Sequence, residues 1–186
     1  MKRDKRWAAE ESGYYDESFG RLVSNERGIA NVKASLEQVA KYTEGSVLDL
    51  GCGVGYLADM IDDREYFGID FSEFAIEWAR CNIRNPNARF CIGDLRDILA
   101  AEKFDTVVLV QVLEHLEEPA AIAKAVLTVA KCRIVVTVPS KGRGAQRAHV
   151  WPNWTCSDLT NMFGKLAICH NLKRGRDILA VYEIGR

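Results

Sequence analysis

The chain predicts an α/β fold: a seven-stranded, mostly parallel sheet with helices on both faces and a C-terminal antiparallel hairpin. Three observations carry this. An apolar strand, Val47-Leu-Asp-Leu50, runs directly into alternating glycines at 51, 53 and 55. Short β-branched or apolar runs then alternate with helical patterns, which implies parallel strands joined by right-handed crossovers. The last two runs, Lys165 to Leu172 and Ile178 to Ile184, flank Lys173-Arg-Gly-Arg-Asp177, a turn composition that joins antiparallel neighbours.

In chain order, residues 1 to 18 are charged and irregular and predict a mobile N-terminal segment. From Leu22 to Tyr42, apolar residues recur at three- and four-residue steps, the period of an amphipathic helix. Strands are expected at Ser46 to Leu50, Tyr66 to Ile69, Arg89 to Ile92, Thr106 to Val110 and Arg133 to Val138. The clearest helix between them is Ser72 to Arg84, with Ser72 as N-cap, Glu73 in the first turn, and Ile76, Ala79 and Ile83 on one face. A short helix near Ser157 to Phe163 precedes the hairpin.

At 186 residues, with no repeat, low-complexity tract or linker, the chain reads as one domain over 1–186. Residues 1 to 30 hold no apolar signal-peptide core, and no run approaches the ~20 apolar residues of a membrane span. A soluble, cytoplasmic protein is expected. Six cysteines stand singly, without C-x-x-C, and only three histidines are present, so neither a zinc site nor a disulfide framework has its spacing. They read as reduced, mostly buried residues, and no metal is expected. The net charge of -1 conceals an asymmetry: residues 1 to 130 hold 15 Lys and Arg against 23 Asp and Glu, residues 131 to 186 hold 10 against 3. Solvated loops explain this, as does an anionic substrate held by the C-terminal part.

The glycine turn is the main chemical signal. Glycines there let backbone turn tightly and approach a ligand, and the N–H groups of a helix opening after them would be free donors. Asp70 ends the second strand, where an acid in an open α/β sheet accepts the two hydroxyls of a ribose. Gly93-Asp94-Leu95 ends the third, so three loops point at one edge. A dinucleotide fingerprint needs its third glycine three residues after the second. Here that position is Tyr56, and acid at Asp49 suits a cationic ammonium better than a diphosphate.

Val47 to Tyr56, Gly68 to Ser72, Gly93 to Leu95, Phe104 to Pro119 and Ile134 to Pro139 resemble, in order, the motifs of class I S-adenosylmethionine-dependent methyltransferases. Val112-Leu-Glu-His-Leu-Glu-Glu-Pro119 is most like the small UbiG/MetW-type enzymes. The resemblance implies a Rossmann-like sheet and S-adenosyl-L-methionine as cofactor. Gly51, Cys52, Gly53 and Gly55 would lie against its methionine part with Asp49, Cys52 as a packing residue. Asp70 would take the ribose hydroxyls, Phe71 the adenine face, Asp94 the adenine amino group and the Leu95 backbone a ring nitrogen, with Ser72 also among the cofactor-binding residues. Gln111 would face the reactive end.

Methyl transfer from a sulfonium needs the methyl and acceptor held collinear and dry. His115 and His149 are candidate general bases by position and resting pKa; His170, inside a strand, reads as structural. Lys141, Arg143 and Arg147 beside Trp151 and Trp154 could grip an anionic, partly planar acceptor, or form a solvated loop with the tryptophans packed inward. Tyr14 and Tyr15 could close over the cofactor as a lid. The Asp/Asn-Pro-Pro-aromatic turn and Pro-Cys nucleophile of DNA methyltransferases are absent, and overall basic charge is lacking, so DNA is excluded and RNA disfavoured. A small-molecule oxygen or nitrogen acceptor leads. The usual Leu-Lys-Pro-Gly-Gly turn is replaced by Leu127 to Arg133, and little chain between Pro139 and Trp154 is left for a cap, so the acceptor side is expected to be open or completed by a partner protein or second copy. The contrasting reading is a non-catalytic, cofactor-binding scaffold.

Overall fold

A computed structural model describes residues 5–95, 102–140, 150–151, 153–172 and 177–185, with side chains from residue 13 onward. Seven strands form one sheet: β1 Val47–Leu50, β2 Tyr66–Asp70, β3 Ala88–Ile92, β4 Phe104–Val110, β5 Ala130–Pro139, β6 Ile168–Leu172 and β7 Asp177–Glu183. Their spatial order is β3-β2-β1-β4-β5-β7-β6. The first five are parallel; β7 runs antiparallel to β5 and β6 antiparallel to β7. The chain reverses direction across the sheet between β1 and β4, the switch point where open α/β sheets leave a crevice for ligands. The fold class follows the expectation.

Among the described residues, five α-helices cover the two faces: α1 Lys5–Val23, α2 Glu26–Ala40, α3 Glu73–Asn82, α4 Pro119–Val129 and α5 Cys156–Phe163. Because strand side chains alternate, β5 sends Ile134, Val136 and Val138 into a core with α4 and α5, while Val135 joins Leu36 and Val39 of α2 on the other face. The sheet is therefore buried on both sides, as its near-continuous Val/Ile/Leu runs require.

Four expectations are corrected. The N-terminal segment is helical from Lys5, and the helix expected over Leu22 to Tyr42 is two helices. The break falls at Ser24-Asn25, where extended Asn25 caps α2 by accepting from Gly28 N at 3.1 Å, a role asparagine fills better than any place in a helix interior. No α-helix follows the glycine turn; one 3₁₀ turn, Ala58–Met60, takes its place. The first carbonyl of that turn and two beyond it are claimed from outside, since the buried Asn85 amide donates to Ala58 O, Ile61 O and Arg64 O at 3.0, 3.2 and 3.4 Å. Third, β5 begins at Ala130, directly after α4. Lys131 and Cys132 oppose the single residue Asp105 as the register shifts between Phe104 and Thr106, which absorbs the missing turn.

The cysteines differ most. Cys156, opening α5, is disulfide-bonded to Cys169 in β6, and Cys81, Cys91 and Cys132 are exposed. Only the tertiary fold brings 156 and 169 together, so single spacing along the chain gave no sign of the pair. His170 lies exposed on β6 beside the Tyr42 ring, at 6.2 Å between centroids. The expected hairpin turn lies outside the described residues except for Asp177, which opens β7.

Candidate functional site

A cavity of 680 Å³ opens at the carboxyl ends of β1, β2, β3 and β4, roofed by α1. Its floor is the glycine turn. Gly51 and Gly53 adopt φ of +75° and +53°, conformations that L side chains rarely take. A Cβ on Gly51 would sit 2.6 Å from Val112 Cγ2, and one on Gly53 2.8 Å from Phe19 Cε1. Both residues are thus glycine for backbone shape and for close approach of neighbours. With no helix after it, the turn offers local i→i−3 contacts and loop amides rather than a helix N-terminus.

Two carboxylates lie under this turn. Asp70 accepts from Gly53 N (Oδ2, 2.8 Å) and Ser72 N (Oδ1, 2.9 Å), pinning the turn to β2. Burial raises its pKa against those hydrogen bonds, and the Asp16 charge adds to the rise. Each oxygen keeps a second lone pair, so Asp70 can hold the turn and still accept ribose hydroxyls. Asp49 is buried with its Oδ2 accepting from Tyr66 OH at 2.6 Å, while Oδ1 has no hydrogen-bond partner. Burial pushes its pKa up to about 7, opposed by the Tyr66 bond and reinforced by the Asp70 charge. A buried, half-satisfied carboxylate lining a cavity is a receptor for a cation or strong donor.

Cys52 lines the same floor, and burial beside Asp49 and Asp70 holds its thiol well above the ordinary range, which makes it a poor nucleophile. Phe71, Asp94 and Leu95 line the far end with Ile92. Ser72 does not line the cavity. Its hydroxyl accepts from Ala75 N at 3.0 Å as the cap of α3 and donates to Asp16 of α1, so it serves the site from behind.

At the other end, Gln111 follows β4 with φ +54°, the non-glycine positive φ among the described residues, and lines the cavity. His115 lines it too, closing a 3₁₀ turn Leu113–His115, with Nε2 3.9 Å from Oε1 of the fully buried Glu114. The Tyr15 ring meets His115 edge-on at 5.6 Å and Phe71 at 5.1 Å, so one aromatic of α1 spans both ends. Tyr14 and Tyr15 do line the cavity, from a helix rather than from an irregular segment. Trp151 is half exposed and donates Nε1 to Leu116 O at 3.0 Å, whereas Trp154 is buried, so the two do not pack inward together. Lys141, Arg143, Arg147 and His149 lie outside the described residues.

Sequence reasoning missed Tyr66, Phe19, Asp16 and Glu114. Tyr66 left one signal: Gly68, two residues on in the same strand, leaves room for the ring, whose Cε1 lies 3.0 Å from the position of a Cβ there.

The methyltransferase domain family matches residues 41–171. The chain belongs to this family. It is a class I S-adenosylmethionine-dependent methyltransferase domain. Among curated relatives, a ubiquinone biosynthesis O-methyltransferase of Stutzerimonas stutzeri is 32% identical over 94 residues, covering 46% of this chain and 39% of that protein. A malonyl-[acyl-carrier protein] O-methyltransferase of Acetivibrio thermocellus is 28% identical over 87 residues, covering 45% and 31%. The match thus spans well under half the length of these relatives. Among solved structures, the magnesium protoporphyrin IX methyltransferase of Synechocystis PCC 6803 with bound SAH superposes with TM-score 0.66 at 20% identity, over 84% of this chain and 82% of that one. A Haloferax volcanii methyltransferase, solved in complex with the Trm112 activator, gives 0.71 at 15% identity over 95% and 93%.

Proposed function

We propose that the protein, acting as one domain over 1–186, transfers the methyl group of S-adenosylmethionine to an oxygen of a small molecule in the cytoplasm. The observation that carries this is the unpartnered Asp49 Oδ1 on the floor of a cavity whose other walls match the parts of that cofactor in strand order. Asp94 and Leu95 after β3 would hold the adenine, Phe71 would flank it, Asp70 after β2 would take the ribose, and the glycine turn with Asp49 after β1 would hold the methionine ammonium. Bound there, the cofactor supplies an electrophilic methyl group. The chain's own residues orient it, exclude water beneath α1, and supply His115 as the proton acceptor for the incoming hydroxyl. Oxygen is favoured over nitrogen because the two curated relatives above are named O-methyltransferases. Lys141, Arg143 and Arg147, in the segment between β5 and Trp151, would receive an anionic group on the acceptor.

A partner-assisted catalyst is the second reading, favoured by the near-complete superposition on a methyltransferase that was solved with an activator. Calorimetric titration of the purified chain with S-adenosylmethionine, then of Asp49→Asn, tests the first step. Micromolar binding weakened in the variant supports the proposal; no binding by folded wild type sinks it. Methylation of anionic and phenolic small molecules, with and without His115→Ala, tests the second.

A further inference from the structure

Thr137 is the one polar residue in the buried run Ile134-Val-Val-Thr-Val138, and it is 2% exposed. A hydroxyl in such a strand costs on the order of 1–3 kcal/mol unless it is bonded. Among the described residues, the bonds of this hydroxyl go to a single residue. Gln111 N donates to Thr137 O at 2.9 Å and to Thr137 Oγ1 at 3.2 Å, and Gln111 Nε2 reaches the same Oγ1 at 3.4 Å. One hydroxyl therefore grips both the backbone and the carboxamide of the non-glycine residue held at positive φ, a conformation costing roughly 1–2 kcal/mol. A strained residue and an otherwise unneeded buried hydroxyl, matched to each other at a cavity wall, indicate a group held for its direction.

Sheet order says what lies in that direction. With adenine at β3, ribose at β2 and methionine at β1, the next strand outward is β4, and Gln111 is its first residue beyond the end. Resting on the cofactor assignment above, we propose that Thr137 is a positioning residue: by anchoring the carboxamide NH₂ of Gln111 it presents the carbonyl oxygen to the reacting methyl position. There the oxygen accepts the polarised C–H of a sulfonium methyl, or an N–H placed at the same point.

Sinefungin, which carries an amine-bearing carbon in place of the sulfonium and its methyl, is the probe, and S-adenosylhomocysteine, which has nothing there, is the reference. Both are titrated calorimetrically into wild type, Thr137→Val, Thr137→Ser, Gln111→Ala and the Thr137→Val/Gln111→Ala pair. The expected result is that Thr137→Val lowers sinefungin affinity about tenfold relative to S-adenosylhomocysteine, the scale of one hydrogen bond. Thr137→Ser should restore it to within twofold, and the pair should lose no more than Gln111→Ala alone. Equal changes for both ligands, or additive losses in the pair, would overturn the proposal while leaving the cofactor assignment standing. Wild type that binds neither ligand overturns both. Gln111→Gly guards against a folding artefact: it should melt higher than wild type, through relief of the positive φ, and still lose the tenfold preference.

Discussion

The two sides of the cavity are built differently. Beneath β1 and β2, polar side chains are tied to backbone or to each other: Asp70 to Gly53 and Ser72, Asp49 to Tyr66, and the turn itself is glycine wherever φ is positive. Beyond β4, a glutamine carries the positive φ, His115 sits in a single 3₁₀ turn, and the Glu114 carbonyl accepts Val150 N and Trp151 N at 2.8 and 3.1 Å. The first side is a mould for one molecule. The second is a pair of short turns tied to Val150 and Trp151, loop geometry of the kind that can vary while a cofactor site stays fixed.

The sharpest way to break this contrast is His115→Ala. With any acceptor that wild type methylates, turnover should fall at least about a hundredfold while S-adenosylmethionine affinity stays within twofold. Equal losses in both would mean that His115 belongs to the mould. Asp49→Asn should do the reverse, weakening S-adenosylmethionine roughly ten- to hundredfold by calorimetry, the scale of a charge-assisted hydrogen bond.

Protonation probes the same side. The folded pKa of Asp49 is raised to about 7, so the folded state holds this proton more tightly than the unfolded chain does. Its contribution to stability is present below about pH 4 and is lost as pH rises to about 7. The ligand-free Asp49→Asn protein should therefore melt higher than wild type at pH 8, by several degrees. Cofactor affinity has the opposite slope, because the cation needs the carboxylate: binding should strengthen as pH rises toward 7 and level off above it. Titrations in buffers of different ionisation enthalpy should show proton release at pH 6, giving way to proton uptake above about pH 8, where the ligand's own amino group must be protonated to bind as a cation. The smallest effect tests the turn. Gly53→Ala meets Phe19 and an unfavourable φ, and should cost about 1–2 kcal/mol in denaturant melts; adding Phe19→Ala should recover the steric part only.

What was legible in the sequence follows the same division. The strands, the sheet edge and the loops that line the cavity are local: apolar runs, glycines and acids at strand ends, each readable within about ten residues. α1 was not, because its apolar residues Tyr15, Phe19 and Leu22 line the cavity, with Phe19 and Leu22 only partly buried at the margin of the α2-side core, and the residues ahead of them are charged. The Asp49–Tyr66 bond and the Cys156–Cys169 bond were hidden for another reason, since each depends on which elements become neighbours. Ser72 was half legible: its capping role is a local pattern, whereas its contact with Asp16 requires α1 to be in place.

Trp151 and Trp154 stand three residues apart with opposite surroundings, the first half in solvent on the Leu116 carbonyl and the second in the core. That pair is a built-in optical gauge. With the other two tryptophans, Trp7 and Trp78, replaced by phenylalanine, iodide should quench the red-shifted emission of Trp151 and leave Trp154 untouched. Because Leu116 lines the cavity, an acceptor settling beside it should shield Trp151 from the quencher, which would allow acceptors to be screened by fluorescence before any product is known.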